Sequence, residues 1–458
     1  MNLHQMLCER AEAKRPVRVG LIGAGKFGSM FLSQARRTPG LHLMAVADLD
    51  PDRAREALRT TGWPAARYRA RSFATARDRG TTFVTDDAEA LIAADGLDVV
   101  VEATGIPEAG LRYALASFEH GRHVVMVNVE ADVLAGPLLA ERAAAAGVVY
   151  SMAYGDQPAL IAEMVDWGRA CGLDIVAAGK GTLYMPAYHA STPDTVWDHY
   201  GISARRARAG GLNAKMFNSF LDGSKSAIEM AAVANATGLT PGPDGLAFPP
   251  CPADKLARLL IPAKDGGCLH HRGQVEVVSS RGRKGQDLEG NLRWGVYVVF
   301  EAHSEYVKNC FRDYGMVTDR SGRYSALWRP YHLIGLELGV SIASVALRGE
   351  PTGRPDGFRA DVVATAKRDL KAGETLDGEG GFCVWGKLMP AADSLAVGGL
   401  PIGLASDVTL TRDIPAGTVL RQADVELDDS LEAVRLRREM EARFGGKRRA
   451  ARGARKKS

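Results

Sequence analysis

Two groups of residues have the types and spacing to do chemistry. In "VRVGLIGAGKFGSMFLSQARR", Gly23, Gly25 and Gly28 satisfy G-x-G-x-x-G between a predicted strand, Val17 to Ile22, and a predicted helix, Phe27 to Arg37. That context gives the pattern its meaning as a dinucleotide site rather than an ordinary strand-to-helix turn. Gly23 permits the tight turn, Gly25 lets the backbone approach a pyrophosphate, and Gly28 lets the helix pack on the strand. Lys26 and Phe27 begin the helix, whose free N–H groups and dipole favour an anion. The next strand, "LHLMAVADLD", carries Asp48 at its end. A carboxylate there can bond ribose hydroxyls and repel a 2′-phosphate, which argues for NAD. Arg53, at the following helix start, can hold a phosphate, so the choice between NAD and NADP stays open.

The second group lies in "GLNAKMFNSFLDGSKSAIEMAAVANATGL", residues 211–239. Asn213, Lys215, Asn218, Ser219, Ser224 and Lys225 precede a predicted helix from Ser226 to Thr237. Ammonium, amide and hydroxyl donors gathered at a helix start suit a phosphate-bearing substrate. Part of the pattern has a plainer reading, with Ser226 and Glu229 as a capping box and Lys225 and Glu229 as a solvated pair. Lys215, Asn218 and Asp222 are left over by that reading and favour the substrate site. Lys180, in "AAGKGTLYM", is a second candidate cation. His189 and His199 read as structural hydrogen-bonding residues. The His270-His271 pair has no carboxylate at metal-ligand spacing.

The elements that must position these groups alternate. After the second strand come a charged helical stretch from Arg53 to near Ala70, the strand "GLDVVVEATG", a helix from Pro107 to His120, the strand "GRHVVMVNVEAD", an Ala-rich helix from Gly136 to Ala146, and "GVVYSMAYGDQP". Such alternation predicts an α/β domain with a doubly wound parallel sheet of Rossmann type over 1–156. Ligands lie beyond the carboxyl ends of such strands, which brings Thr104, Gly105, Asn128, Glu130 and Asp156 to the expected site. Residues 157–330 mix glycine-punctuated strands with helices and read as an α+β substrate domain. The segment 331–347 reads as a helix returning to the first domain.

Composition bounds the rest. The 458 residues, 46% of them hydrophobic, suffice for two to four domains at about 100–200 residues each. No apolar run reaches the roughly 18 residues of a spanning helix, and the first residues lack a secretory apolar core, so a cytoplasmic protein with no membrane partner is expected. Six scattered cysteines without C-x-x-C suit reduced thiols. The net charge of +4 is uneven, because the segment from Lys447 to Ser458 holds seven Lys or Arg and no acid, leaving −3 for the remainder. Residues 436–458 therefore read as a basic, disordered tail, first of all a solvated one rather than a nucleic-acid arm.

Near the end, "KRDLKAGETL" (Lys367 to Leu376) and "TRDIPAGTVL" (Thr411 to Leu420) repeat one pattern. Each Ala-Gly pair marks a turn between short β segments, so 355–430 reads as a small module with pseudo-symmetric halves. It resembles the SAF domain, a β-clip fold, and is read as a packing or oligomerisation appendage.

The glycine motif, the "VEATG" strand and the helix after Asp222 resemble the homoserine dehydrogenase superfamily over roughly 17–240. At the lysine of that superfamily's T-A-N-K strand end, "MVNVE" puts Glu130. Its G-x-D-x-x-x-K helix is matched by Gly223-Ser224-Lys225-Ser226-Ala227-Ile228-Glu229, with both charges reversed. An ammonium facing the substrate amine would repel it, which argues against homoserine. A closer resemblance runs through "GLIGAGKFGSMF", "YSMAYGDQPAL", "LNAKMFNSFLDGSKSAIE", "NATGLTPGPDGLAFPP" and the terminal module. Together they are similar to the DXR-like family of 1-deoxy-D-xylulose 5-phosphate reductoisomerases. The resemblance implies NADPH, a divalent cation such as Mg or Mn, a phosphorylated keto-sugar substrate and a homodimer. On it, Asp156 and Asp222 would hold the cation, with Glu130 and Glu229 behind them. Lys215, Asn218, Ser224 and Lys225 would grip the phosphate, and Lys180 would serve as a further catalytic cation. The alternatives are a dehydrogenase of another sugar or polyol phosphate, and a non-catalytic cofactor-binding regulatory protein.

Overall fold

Runs of branched apolar residues flanked by turns give six parallel strands: β1 (Val17–Ile22), β2 (Leu41–Ala47), β3 (Phe83–Thr85), β4 (Val99–Glu102), β5 (His123–Met126) and β6 (Tyr150–Met152). In this computed structural model, which describes residues 2–209 and 212–445, they form one sheet in the order β3-β2-β1-β4-β5-β6. The order reverses between β1 and β4, the switch point where doubly wound sheets bind ligands. Val19, Leu21, Val99, Val101 and Val125 are buried in one core, and Met44, Ala45 and Val100 in another, as a sheet covered on both faces requires.

The helices of this unit are α1 (Leu3–Glu12), α2 (Lys26–Ala35), α3 (Pro51–Thr60), α4 (Phe73–Arg79), α5 (Ala88–Ala93), α6 (Pro107–Glu119) and α7 (Val129–Ala145). Two differ from the sequence expectation. The charged helix stops at Thr60, because Gly62 follows in a left-handed conformation. The Ala-rich helix begins at Val129 rather than Gly136. Asn128 caps it by accepting from the Ala131 N–H, and it bends at Ala135, two residues before Pro137. Residues read as the end of a strand, "NVEAD", are therefore the first turn of a helix.

Contacts divide the chain into two units, 1–160 with 333–355, and 161–332 with the residues from 356 onward. The cut falls within α8 (Gln157–Ala170). The segment 333–355 carries the helix Gly339–Arg348, whose Ile342, Ala343 and Val345 enter the β1 core.

The second unit has a mixed sheet ordered β10-β9-β7-β8. Its strands are β7 (Asp174–Thr182), β8 (Gln274–Ser279), β9 (Val296–Glu301) and β10 (Tyr324–Arg329). β7 runs parallel to β8 and antiparallel to β9. After α9 (Val196–Tyr200) and α10 (Ala204–Ala209), the helices α11 (Ala214–Asp222) and α12 (Ser224–Thr237) meet at Gly223 (φ +92°), and α12 packs against β7 and β8. Four short strands follow: β11 (Ala360–Ala366), β12 (Thr375–Asp377), β13 (Val384–Pro390) and β14 (Ser406–Thr409), with β11 antiparallel to β13 and β12 to β14.

Here the sequence repeat becomes a pseudo-twofold. Leu370 and Ile414 occupy equivalent positions and exchange both backbone hydrogen bonds, at 2.8 and 2.9 Å. Asp369 accepts from the Ala416 N–H at 2.8 Å, and Asp413 accepts from the Ala372 N–H at 2.9 Å. Gly373 and Gly417 both take positive φ in the turns. By contacts this module belongs with residues 161–332. Residues 436–445, expected in the tail, complete the helix Glu432–Gly445. Its Arg437 is buried against Asp361 at 2.6 Å, an ion pair that the composition of the segment does not reveal. The rest of the expected tail, 446–458, lies outside the described residues. Among the described residues no helix is long and apolar enough to cross a membrane.

Candidate functional site

The glycine turn between β1 and α2 is fixed by close contacts. Gly23 has φ +97°, and a Cβ there would stand 2.6 Å from the Ala103 carbonyl. A Cβ on Gly28 would meet the Gly23 carbonyl at 2.5 Å. Gly25 differs: a Cβ would meet nothing within 4 Å. It is the N-cap of α2 and gives no side-chain cap, so the first N–H groups of α2 keep no protein partner from that position. Exposed Lys26 and half-buried Phe27 follow. An open space in front of uncapped N–H groups fits a pyrophosphate.

Asp48 does not present its carboxylate as a ribose partner would. Its side chain is 1% exposed. It accepts from the Ala24 N–H at 2.8 Å and the Asp50 N–H at 2.9 Å, and from Arg53 Nε at 3.3 Å and a terminal nitrogen at 2.5 Å. The acid thus ties the glycine turn to the end of β2, and its charge is met by a guanidinium that is 58% exposed. The expected repulsion of a 2′-phosphate is thereby cancelled within the protein.

At the carboxyl ends of β4 and β5, Glu102 is fully buried and accepts from the Thr104 N–H at 3.0 Å and its hydroxyl at 2.5 Å. Burial pushes its carboxyl up to about 7. Asn128 donates to the Ile106 carbonyl at 2.9 Å while capping α7, whose first turn holds Glu130. Gly105 takes φ +70° with open space around its Cα. Glu102 was not singled out from the sequence, although an acid closing a run of three valines was the available signal. Asp156 accepts from the Gln157 N–H at 2.8 Å at the start of α8.

In the second unit, most of the expected phosphate ligands are spent elsewhere. Asn213 caps α11 by accepting from the Met216 N–H at 3.1 Å. Lys215 donates to the Asp377 carbonyl. Asn218, fully buried, donates to the carbonyls of Ser191 and Gly380 at 3.1 and 2.9 Å and accepts from the Ser191 hydroxyl at 2.7 Å. Ser219 bonds Glu379, and the Ser224 hydroxyl accepts from the Gly386 N–H at 2.8 Å. These residues dock the segment 377–386 onto α11 and α12. The terminal module is therefore built into this cluster rather than appended to it. Lys225 lies half-buried in the first turn of α12.

The expected cation ligands are also corrected. Asp222 is fully buried and pairs with Lys367 at 2.8 Å, while its other oxygen accepts from the Ser224 N–H at 2.9 Å. Lys367 further donates to the Ser191 and Gly381 carbonyls at 2.8 and 2.7 Å. A carboxylate so neutralised does not fit a cation ligand. Among the described residues, no three His, Cys, Asp or Glu side chains gather as a metal site would need. Lys180 and Glu229 form a second buried ion pair, between β7 and α12.

His189 sits over this junction. It stacks on Trp385 with ring centres 3.9 Å apart, and a Cβ on Gly223 would meet its ring at 3.2 Å. Its Nδ1 donates to the Asp222 carbonyl at 2.7 Å, so Nε2 accepts from the Tyr184 hydroxyl at 2.9 Å. Burial lowers its pKa, with Lys367 and Lys387 adding to the effect. The ring is a neutral structural link, as the sequence suggested, although Trp385 and Lys367 were missed.

Two sequence families match the chain. The homoserine dehydrogenase NAD-binding domain matches residues 20–152, and the catalytic domain of oxidoreductase DRL matches residues 155–338. A search of curated proteins returned no match. Among solved structures, biliverdin reductase from Synechocystis sp. PCC 6803, in complex with biliverdin and NADP+, is 18% identical over 37% of this chain and 48% of its own, with a TM-score of 0.27. Myo-inositol dehydrogenase from Lactobacillus casei is 18% identical over 40% and 52%, at 0.27. A probable dehydrogenase from Thermotoga maritima is 14% identical over 73% and 90%, at 0.36. The chain spans about half the length of the first of these. One matched family is an NAD-binding domain and the other an oxidoreductase catalytic domain, and the two matches follow one another along the chain.

Proposed function

We propose that the protein reduces a small phosphorylated sugar with hydride from NADPH, and that its reaction is the conversion of 1-deoxy-D-xylulose 5-phosphate to 2-C-methyl-D-erythritol 4-phosphate. The observation that carries the cofactor reading is the buried Asp48 holding an exposed Arg53 at the end of β2. Arg53 then meets the 2′-phosphate, and the glycine turn and the start of α2 take the pyrophosphate. Bound there, the cofactor supplies the hydride. Thr104 and Asn128, at the ends of β4 and β5, orient its reactive end. The substrate reading is supported by the DRL catalytic-domain match over 155–338 and by the motifs shared with the reductoisomerases. Lys225 at the start of α12 serves the substrate anion, and the Lys180–Glu229 pair fixes charge behind it. No step is assigned to a cation at Asp156 or Asp222.

A second reading, a dehydrogenase of another sugar or polyol phosphate, is favoured by the diversion of Lys215, Asn218 and Ser224 into the segment 377–386. NADPH and NADH oxidation, followed by absorbance with deoxyxylulose phosphate, aspartate semialdehyde and a panel of sugar phosphates, separates the two. Oxidation with deoxyxylulose phosphate supports the first reading. Oxidation with another sugar phosphate alone supports the second. Cofactor binding with no oxidation of NADPH or NADH by any substrate overturns both.

A further inference from the structure

A cavity of about 340 Å³ opens in the first unit, away from the glycine turn. Its origin is a mismatch of strand lengths. β2 has seven residues and β3 has three, and they pair only from Ala45 to Ala47. The amino-terminal half of β2 is left without a strand neighbour on that side. His42 bonds the Thr81 carbonyl at 2.8 Å, and the Thr82 hydroxyl donates to the Leu43 carbonyl at 2.7 Å, so the chain beside this half-strand is held by side chains. Arg36, Arg67, His42, Trp63, Pro64 and Thr82 line the resulting hollow.

Its chemistry is one-sided. No acid lines it. Among the described residues the Arg36 and Arg67 guanidiniums have no hydrogen bond or ion pair, whereas Arg53, Arg55 and Arg59 on the neighbouring α3 are each paired with an acid. A third cation, Arg18, stands beside His42 in the β1–β2 register, and its Nε is buried without a partner. His42 is 7% exposed, and its Nε2 must carry the proton to bond the Thr81 carbonyl. Its Nδ1 then has a lone pair to offer. One wall is apolar, formed by Trp63 and Pro64. The Trp63 indole is fixed by donating to the Leu32 carbonyl at 2.9 Å. The volume falls at the small end of ligand pockets, which run from about 300 to 1,000 Å³.

We propose that this cavity binds a small organic phosphate, its phosphoryl group between Arg36 and Arg67 and its carbon part against Trp63 and Pro64. Guanidinium pairs match phosphate geometry, and a rigid indole supplies apolar surface at low entropic cost. The site is separate from the cofactor cradle. Asp48 follows the carboxyl end of β2, about 20 Å from His42 at about 3.3 Å per residue.

Phenyl phosphate is the probe, titrated by calorimetry into full-length protein saturated with NADPH. The expected result is binding that leaves NADPH bound, is at least about tenfold tighter than that of inorganic phosphate, and weakens about tenfold (~1.4 kcal/mol) in each of Arg36→Gln and Arg67→Gln. Both side chains are exposed, so the variants fold and keep the basal reductase rate. Four outcomes overturn the proposal: no heat with phenyl phosphate, displacement of NADPH, equal affinity for phenol, or undiminished affinity in the Arg36→Gln/Arg67→Gln double variant. Equal affinity for inorganic phosphate overturns the part assigned to Trp63 and Pro64.

Discussion

Asp48 and Arg53 stand 2.5 Å apart at the end of β2, the carboxylate buried and the guanidinium open to solvent. On the proposed reading, the acid that would discriminate against a 2′-phosphate supports a group that attracts one. Arg53→Ala should raise KM for NADPH about 10- to 100-fold, the worth of a charge-assisted hydrogen bond, and leave KM for NADH within about twofold. Steady-state kinetics with both cofactors check this. Equal effects on the two would remove Arg53 from the 2′-phosphate. Asp48→Ala is expected to weaken both cofactors, because the Ala24 N–H loses its anchor.

Gly23 and Gly25 should respond differently to substitution. Gly23→Ala forces a side chain into positive φ against the Ala103 carbonyl and should lower Tm. Gly25 has φ −70° and free space, so Gly25→Val should keep the wild-type Tm and lose NADPH binding. Thermal denaturation paired with a cofactor titration makes the comparison. A Gly25→Val protein that still binds NADPH would place the pyrophosphate elsewhere.

The glycine turn and the terminal repeat were legible because each is a local pattern whose chemistry fixes its own geometry. The x-R-D-[L/I]-x-A-G unit needs Asp369 and Asp413 to catch each other's turn N–H groups, and its repetition announces the symmetry. In the polar run 213–225, Lys215, Asn218, Ser219 and Ser224 meet distant protein partners that no local pattern announces. Lys215 and Asn218 donate to the carbonyls of Asp377 and Gly380, each 162 residues away. A helix-start cluster that binds phosphate and one that docks a distant loop have the same composition. The place of Asp48 at the strand end was legible, but the backbone N–H groups it serves depend on the folded turn.

The Asp222–Lys367 pair tests that correction directly. Both side chains are almost wholly excluded from solvent, and removing one partner of a buried pair leaves an uncompensated charge at a cost of about 3–5 kcal/mol. Asp222→Ala and Lys367→Ala should each lower stability by about that amount, and the double variant should lose less than their sum. Urea denaturation of the four proteins measures the coupling. If Asp222→Ala keeps full stability and instead loses binding of Mg or Mn, the carboxylate is a cation ligand after all.

Asp132 provides a pH signature of the buried interior. It is 3% exposed and accepts from the Tyr150 hydroxyl at 2.8 Å, and its second oxygen is buried without a partner. Burial pushes its carboxyl from the usual 3.8 up to about 7. Between those values the folded protein keeps a proton that the unfolded chain has released, so the unfolded state binds fewer protons and stability falls as pH rises. Below about 3.8 both states are protonated, and above about 7 both are ionised, so the penalty is absent at one end and constant at the other. Glu102 and Glu276, also raised to about 7, act with the same sign. Buried His42 and half-buried His123 and His189, with lowered values, act oppositely on the acid side. The raw profile mixes these effects, and the comparison with Asp132→Asn isolates one. Asparagine keeps an acceptor for Tyr150 and cannot ionise. The Tm of the variant minus that of the wild type should therefore rise between about pH 4 and pH 7 and level off above. A difference independent of pH would mean that Asp132 is ionised in the folded protein throughout.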